Sequence, residues 1–130
     1  MIVVDTSALI AVLQGEPEAL ACRAAIADAD ELLIAAPNLT EALIVAARRQ
    51  LHGEMGRLIA DLALTVVPFD EAAAYAAVSA YVRWGKGFHR AKLNLGDAFA
   101  YALAKEHDCP LLFVGDDFAR TDVKPAFSPA

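Results

Sequence analysis

Ile2-Val3-Val4-Asp5-Thr6-Ser7-Ala8-Leu9-Ile10 opens the chain with a short apolar run, an acid, two hydroxyls and a second apolar run. The first run reads as a buried strand. Ser7 to Leu13 reads as a helix, capped by Ser7 or Thr6. Asp5 then stands where the strand ends and the helix begins. The same arrangement recurs along the chain. Glu41 follows Leu32-Leu33-Ile34-Ala35-Ala36 by a short Pro37-Asn38 connection, Asp97 opens the helical stretch after Asn94-Leu95-Gly96, and Asp116-Asp117 follow Leu111-Leu112-Phe113-Val114. In a parallel α/β sheet the carboxyl ends of the strands meet at one edge, where ligands bind. Carboxylates gathered there repel one another unless a cation lies among them, so the pattern asks for a divalent metal.

The remaining elements fit the same alternation. Pro17 is placed to start a helix running to about Asp28, with Leu20, Ala24 and Ala27 or their neighbours as its inner face. A helix is expected from about Leu39 to His52, with Leu43, Ile44 and Ala47 turned inward. Gly53 and Gly56 bracket a break before a shorter helix, Arg57 to Leu62. Leu64 to Pro68 is a third strand, and Asp70 caps an alanine-rich helix to about Trp84. Gly85 to Leu95 is a loop, Asp97 to His107 a helix, and Leu111 to Val114 the fourth strand. Strands alternating with helices predict an α/β fold with a mainly parallel sheet flanked by helices. At 130 residues the chain is expected to form a single domain, 1–130, with about 124–130 as a loosely held C-terminal tail.

Bulk properties narrow the function classes. The hydrophobic content is 58% and the mean hydropathy +0.42, but alanine runs account for much of both. No stretch reaches the ~18 uninterrupted apolar residues of a spanning helix, and the N-terminus meets Asp5 at once, unlike a secretory signal. A membrane partner is therefore not expected. Cys22 and Cys109 are too few for a disulfide scaffold, lack metal-ligand spacing and read as small core residues of a reduced, cytoplasmic protein. The net charge of −6 argues against nucleic acid unless the acids are clustered around cations. The densest basic patch, Arg83, Lys86, Arg90 and Lys92, is interleaved with Trp84, Phe88 and His89. It is a candidate RNA-phosphate surface with rings for base stacking; the alternative is a core Trp84 with a solvated rim of cations.

Each acid also has a structural reading. Asp5 is a plausible helix cap. Glu41 in a first helical turn would complement the dipole. Asp97 has the third-position spacing of a capping box with Asn94, and Asp116 and Asp117 suit a turn. Joint placement favours the metal. Hard cations such as Mg²⁺ take carboxylate oxygens and keep several waters, and two ions about 4 Å apart stabilise both oxygens of a phosphoryl displacement. Asp5 and Asp97 are the candidates for direct ligation, Glu41 for ligating or orienting a metal-bound water, and Thr6 and Ser7 for hydrogen bonds that fix the carboxylates. A zinc cluster, a phosphate-cradling glycine loop and a Ser-His-Asp motif are all missing from the sequence.

These motifs resemble the PIN-domain ribonucleases. Val3-Val4-Asp5-Thr6-Ser7 is similar to their first motif, Asn38-Leu39-Thr40-Glu41-Ala42 to the second, Leu95-Gly96-Asp97-Ala98-Phe99 to the third and Val114-Gly115-Asp116-Asp117-Phe118 to the fourth. The short single-domain length resembles the VapC toxins of bacterial toxin–antitoxin pairs. The resemblance implies a PIN-like three-layer α/β/α domain with a four- to five-stranded sheet. It also implies a Mg²⁺- or Mn²⁺-dependent endoribonuclease, usually a homodimer, held inactive by a VapB-like antitoxin. Asp5, Glu41 and Asp97 carry over as catalytic residues. The acid before Phe118 makes Asp117 the fourth, with Asp116 its adjacent alternative; Asp122 is either a substitute or the partner of a nearby base. Two rivals remain: a non-catalytic PIN-like metal- or protein-binding module, and a small metal-dependent phosphatase.

Overall fold

The computed structural model describes residues 1–127. Four strands, β1 (Ile2–Val4), β2 (Leu32–Ala35), β3 (Thr65–Val67) and β4 (Leu111–Leu112), pair in the order β3-β2-β1-β4. All three pairings are parallel, with Ile2 opposite Leu32, Val3 opposite Leu111 and Leu33 opposite Thr65. Six helices connect them: α1 (Thr6–Gln14), α2 (Ala19–Asp28), α3 (Ala36–Arg48), α4 (His52–Leu62), α5 (Glu71–Trp84) and α6 (Leu95–Glu106). The predicted α/β class and parallel sheet are both present.

Strand side chains alternate between two faces, and this divides the core. Ile2, Val4, Leu32, Ile34 and Leu112 pack with Leu9, Val12, Cys22, Ala42, Ala46 and Met55 from α1 to α4. Val3, Leu33, Ala35 and Leu111 pack with Ala80, Ala98, Tyr101, Leu103 and Ala104 from α5 and α6. Two helical layers thus enclose the sheet, and the acid-bearing segments emerge at its carboxyl edge.

Several local expectations are corrected. Helix α3 starts at Ala36, directly from β2, with Pro37 in its first turn. The tertiary amide there sacrifices no internal hydrogen bond, so no connection is needed. Glu41 is consequently in the second turn, beyond the strongest reach of the helix dipole. Helix α4 runs through Gly53 and Gly56. The break falls earlier, at Gln50, whose φ of 60° is left-handed. Leu51 N–H closes it by bonding Ala46 O at 2.8 Å. In α2 the inward residues are Ala19 and Cys22, while Leu20 is 81% exposed. In α3 they are Ala42 and Ala46, while Ile44 is 49% exposed.

The C-terminal segment is also held more firmly than expected. Leu111 N–H donates to Lys124 O at 2.8 Å, and Ala126 N–H donates to Leu111 O at 2.9 Å. These bonds cover the edge of β4 beside Pro125, and Ala126 and Phe127 pack on the first core. Only 128–130 of the expected tail lie outside the described residues.

Candidate active site

Asp5 is the N-cap of α1. Its Oδ2 accepts from Ser7 N–H at 3.1 Å and from Ser7 Oγ–H at 2.6 Å. Ser7 Oγ in turn accepts from Val114 N–H at 3.0 Å, tying the end of β1 to the segment after β4. Ser7 thus bonds the Asp5 carboxylate through both its N–H and its hydroxyl. Thr6 does something different: its Oγ1–H donates to the Asn38 carbonyl at 3.1 Å, so its hydroxyl orients α3 and not an acid.

Asp97 is fixed by a capping box. Asn94 Oδ1 accepts from Asp97 N–H at 2.8 Å, and Asp97 Oδ2 accepts from Asn94 N–H at 3.1 Å. The structural and functional readings of Asp97 thus coexist, because only one carboxylate oxygen is used by the cap. Glu41 approaches from α3, and glycine at position 96 makes room for it. A Cβ on Gly96 would stand 2.7 Å from Glu41 Oε2 and 3.0 Å from Oε1.

These carboxylates line one cleft of about 340 Å³, together with Thr6, Ser7, Glu16, Arg49, Asn94 and Asp117. The structure thereby brings together Asp5, Glu41, Asp97 and Asp117. Asp116, an exposed neighbour, is not among the lining residues. Asp5 is 5% and Asp97 7% exposed. Burial is the main cause that pushes the Asp5 carboxyl up to about 6. The bonds from Ser7 oppose the shift, and the charges of Glu41 and Asp117 add to it. Asp97 rises to about 7, again chiefly through burial, opposed by its bond from Asn94 and reinforced by Asp5, Asp117 and Glu41. Two buried acids that resist ionisation and face further acids mark a functional site more often than a structural one.

Among the described residues, no three His, Cys, Asp or Glu side chains converge closely enough to hold a metal directly. The donor set nevertheless suits a hard cation that keeps most of its waters, since Mg²⁺ needs only one or two protein carboxylates. Burial chiefly, and the neighbouring acids in addition, disfavour the charged forms of Asp5 and Asp97, and a bound cation would favour them.

Asp122 lies elsewhere. Tyr101 Oη–H donates to its Oδ1, Lys105 Nζ stands 3.3 Å from Oδ2 and Arg83 Nη2 3.8 Å. Tyr101 and Lys105 hydrogen-bond this carboxylate and Arg83 pairs with it more loosely, which is the nearby-base alternative; Asp122 is not among the residues lining the cleft. The basic patch is likewise displaced from the cleft. Arg83 is committed to Asp122 and to the Trp84 ring, 4.8 Å from its centroid. Trp84 is half-buried in the second core, with Nε1–H on Tyr101 Oη at 2.9 Å. Lys86, Arg90 and Lys92 are exposed on the loop leading to Asn94, and none lines the cleft.

Sequence reasoning missed Asn38, Arg49 and Glu16, the last a further acid lining the cleft. Asn38 is fully buried, with Nδ2–H on Gly96 O at 2.9 Å, and so joins α3 to the start of α6. Its Oδ1 is, among the described residues, the one buried side-chain polar atom without a partner. Its place three residues before Glu41, on the same helical face, was the available signal. Arg49 had no signal, because its neighbourhood depends on where α3 stops.

A PIN domain model matches residues 2–124. The chain belongs to the PIN-domain family. It is 43% identical to ribonuclease VapC36 of Mycobacterium tuberculosis over 128 residues, covering 94% of this chain and 91% of that protein. Ribonuclease VapC30 of the same organism is 44% identical over 133 residues, covering 98% and 99%. Among solved structures, VapC20 of M. tuberculosis, described as a sarcin-ricin loop cleaving toxin, superposes with a TM-score of 0.77 at 17% identity, covering 95% of this chain and 96% of that one. A toxin–antitoxin complex from Klebsiella pneumoniae gives 0.73 at 21% identity, covering 99% and 100%. At those identities the structural likeness speaks to the fold.

Proposed function

We propose that this PIN-domain protein is a metal-dependent endoribonuclease of the VapC type, the toxin of a toxin–antitoxin pair, hydrolysing RNA phosphodiester bonds in the acidic cleft. One observation carries the reading. Five carboxylates, Asp5, Glu16, Glu41, Asp97 and Asp117, line a single cleft, and the two buried ones, Asp5 and Asp97, are raised to about 6 and 7. The naming of the relatives as ribonucleases supplies the substrate class.

Asp5 and Asp97 would hold Mg²⁺ or Mn²⁺, with Glu41 and Asp117 as ligands or as holders of ion-bound water. When bound, the ion makes a bound water more acidic and offsets charge on the phosphate oxygens. The protein's own contribution is placement. Ser7 clamps Asp5, Asn94 N–H clamps the Asp97 carboxylate, and Gly96 leaves room for the Glu41 carboxylate. Asp5 and Asp97 are thus held in place before any ligand arrives, and positioning of this kind lowers a barrier. Burial of Asp5 and Asp97 strengthens every charge interaction made there.

The partners follow the same reading: a VapB-like antitoxin, and a second copy of the chain. An apolar groove of about 540 Å³ supports the latter, lined by Phe69, Val78, Val82, Phe88 and Leu95. Its lining includes the exposed Val78, Val82, Phe88 and Leu95, and clustered exposed apolar side chains mark protein contacts. Among the described residues no helix is long and apolar enough to cross a membrane, and we place the protein in the cytoplasm.

The test is cleavage of total RNA with added Mg²⁺ by wild type and by Asp97→Asn. Cleavage by wild type alone, abolished by a chelator, supports the proposal. Equal cleavage by both proteins removes the cleft from the chemistry. Turnover of a chromogenic phosphomonoester without RNA cleavage would favour the phosphatase, and turnover of neither substrate the non-catalytic module.

A further inference from the structure

Arg49 is the one cation lining the acidic cleft among the described residues. It follows the last residue of α3 and is fixed there by N–H bonds to Val45 O at 3.3 Å and Ala46 O at 3.1 Å, just before the left-handed turn at Gln50. Five acids share the cleft with it: Asp5, Glu16, Glu41, Asp97 and Asp117. Arg49 nevertheless forms no ion pair with any of them among the described residues. Its Nη1–H instead donates to Gln14 Oε1 at the end of α1. The neutral Gln14 amide holds the guanidinium in place without neutralising it. Two copies of the same charge logic are thus opposed in one cleft, with acids around the metal position and a free cation at the α1/α3 side.

A nucleic-acid strand needs such a cation. Bound ions can neutralise the phosphate under attack, but the neighbouring phosphates of the strand would meet Glu16 and the remaining acids without compensation. A guanidinium is permanently charged and offers a planar pair of donors that matches two phosphate oxygens. The basic patch read from the sequence does not fill this role inside the cleft, because Arg83, Lys86, Arg90 and Lys92 all lie outside its lining.

Resting on the ribonuclease reading, we infer that Arg49, steadied by Gln14, binds a phosphate next to the scissile one and so sets the strand's register across the cleft. Arg49 is a positioning residue, and it acts on RNA binding before chemistry.

The experiment has a binding arm and a cleavage arm. The binding arm measures fluorescence anisotropy of a labelled 12-nucleotide random single-stranded RNA, with Mg²⁺, over a salt series. It uses Asp97→Asn protein with and without Arg49→Ala, Arg49→Lys or Gln14→Ala. The expected result is roughly tenfold weaker binding for Arg49→Ala, with a salt slope shallower by about 0.7, the loss of one phosphate contact to a single strand. Arg49→Lys should recover the slope but only part of the affinity, and Gln14→Ala should show a smaller loss of the same kind. In the cleavage arm, Arg49→Ala in the otherwise wild-type protein should raise KM on total RNA with little change in kcat. Unchanged affinity and slope in Arg49→Ala overturn the inference, as does a fall in kcat at unchanged KM. Failure of wild type to cleave RNA would count against the nuclease reading alone, because the binding arm reads Arg49 without turnover.

Discussion

Helix α6 carries two carboxylate environments little more than a turn apart, and they are opposites. At its N-terminus Asp97 is buried among Asp5, Glu41 and Asp117, holds one capping bond, and is pushed up to about 7. Further along, Tyr101 and Lys105 hold Asp122 from the C-terminal loop, with Arg83 reaching over from α5. There the carboxyl lies below its ordinary value, chiefly because of the Tyr101 hydrogen bond. Both are aspartates, and composition does not separate them. What separates them is whether donors have already been provided. Asp122 is satisfied by the fold, so it stitches the loop to α6. The cleft acids are brought together at a cost to folding, which is the signature of a site completed by a ligand.

Asp97→Asn should break this contrast most severely. The amide keeps the shape and removes one charge, so RNA cleavage should fall by about two to three orders of magnitude, the scale of removing one electrostatic stabiliser. The same change should raise the melting temperature of metal-free protein near neutral pH, because one member of a repelling set is gone. A variant that is both inactive and less stable would point to misfolding and weaken the contrast.

Gly96→Ala is the subtler break. The new methyl would collide with the Glu41 carboxylate, the mobile end of a side chain, and alanine is the better helix former. Stability should hold or rise slightly while cleavage drops on the order of tenfold to a hundredfold, as expected for a misplacement of about 1 Å. Circular dichroism melts beside RNA cleavage assays check both halves. Retained activity would mean that Glu41 needs no fixed place beside Asp97.

Much of this was legible before any coordinates. The four apolar runs announced the strands, and Asp5, Glu41, Asp97 and Asp117 could be picked out because each follows a strand or starts a helix at the expected sheet edge. What stayed hidden depended on contacts between distant segments. Glycine was a misleading guide at 53 and 56, since packing of Met55 and its neighbours carries α4 through both and the chain turns at Gln50 instead. That shift decides where Arg49 points in the fold, so Arg49 was invisible as a cleft residue. Asp122 looked like a candidate acid because nothing in sequence reveals that Tyr101, Lys105 and Arg83 converge on it. Leu20 was assigned inward because local periodicity is nearly flat in the alanine-rich helix α2, where many phases bury equally little.

Titration sharpens the contrast by sign. The Asp5 and Asp97 values, about 6 and 7, lie above the ordinary 3.8. In metal-free protein the folded state therefore retains protons that the unfolded chain releases. The resulting stability is complete below about pH 4 and is lost as pH rises through about 6 to 7. The melting temperature should accordingly fall over that interval, an effect reduced in Asp97→Asn. Mg²⁺ at ten times its dissociation constant should return about 1.4 kcal/mol at neutral pH. A flat profile, or one rising from pH 5 to 7 without metal, would contradict the burial of these two acids.

Asp122→Asn should have the smallest effect, and its smallness is informative. The amide oxygen still accepts from Tyr101, so the change removes only the pairing with Lys105 and Arg83, at 3.3 and 3.8 Å on a partly exposed side chain. Exposed pairs of this kind contribute about 0.5–1 kcal/mol together, so melting should shift by a few degrees at most. RNA cleavage should match wild type. The contrast along α6 depends on that outcome, because an acid already held by three donors has nothing left to offer a metal. A loss of cleavage approaching that of Asp97→Asn would mean that Asp122 leaves its partners when substrate binds, and the two environments would then be one site.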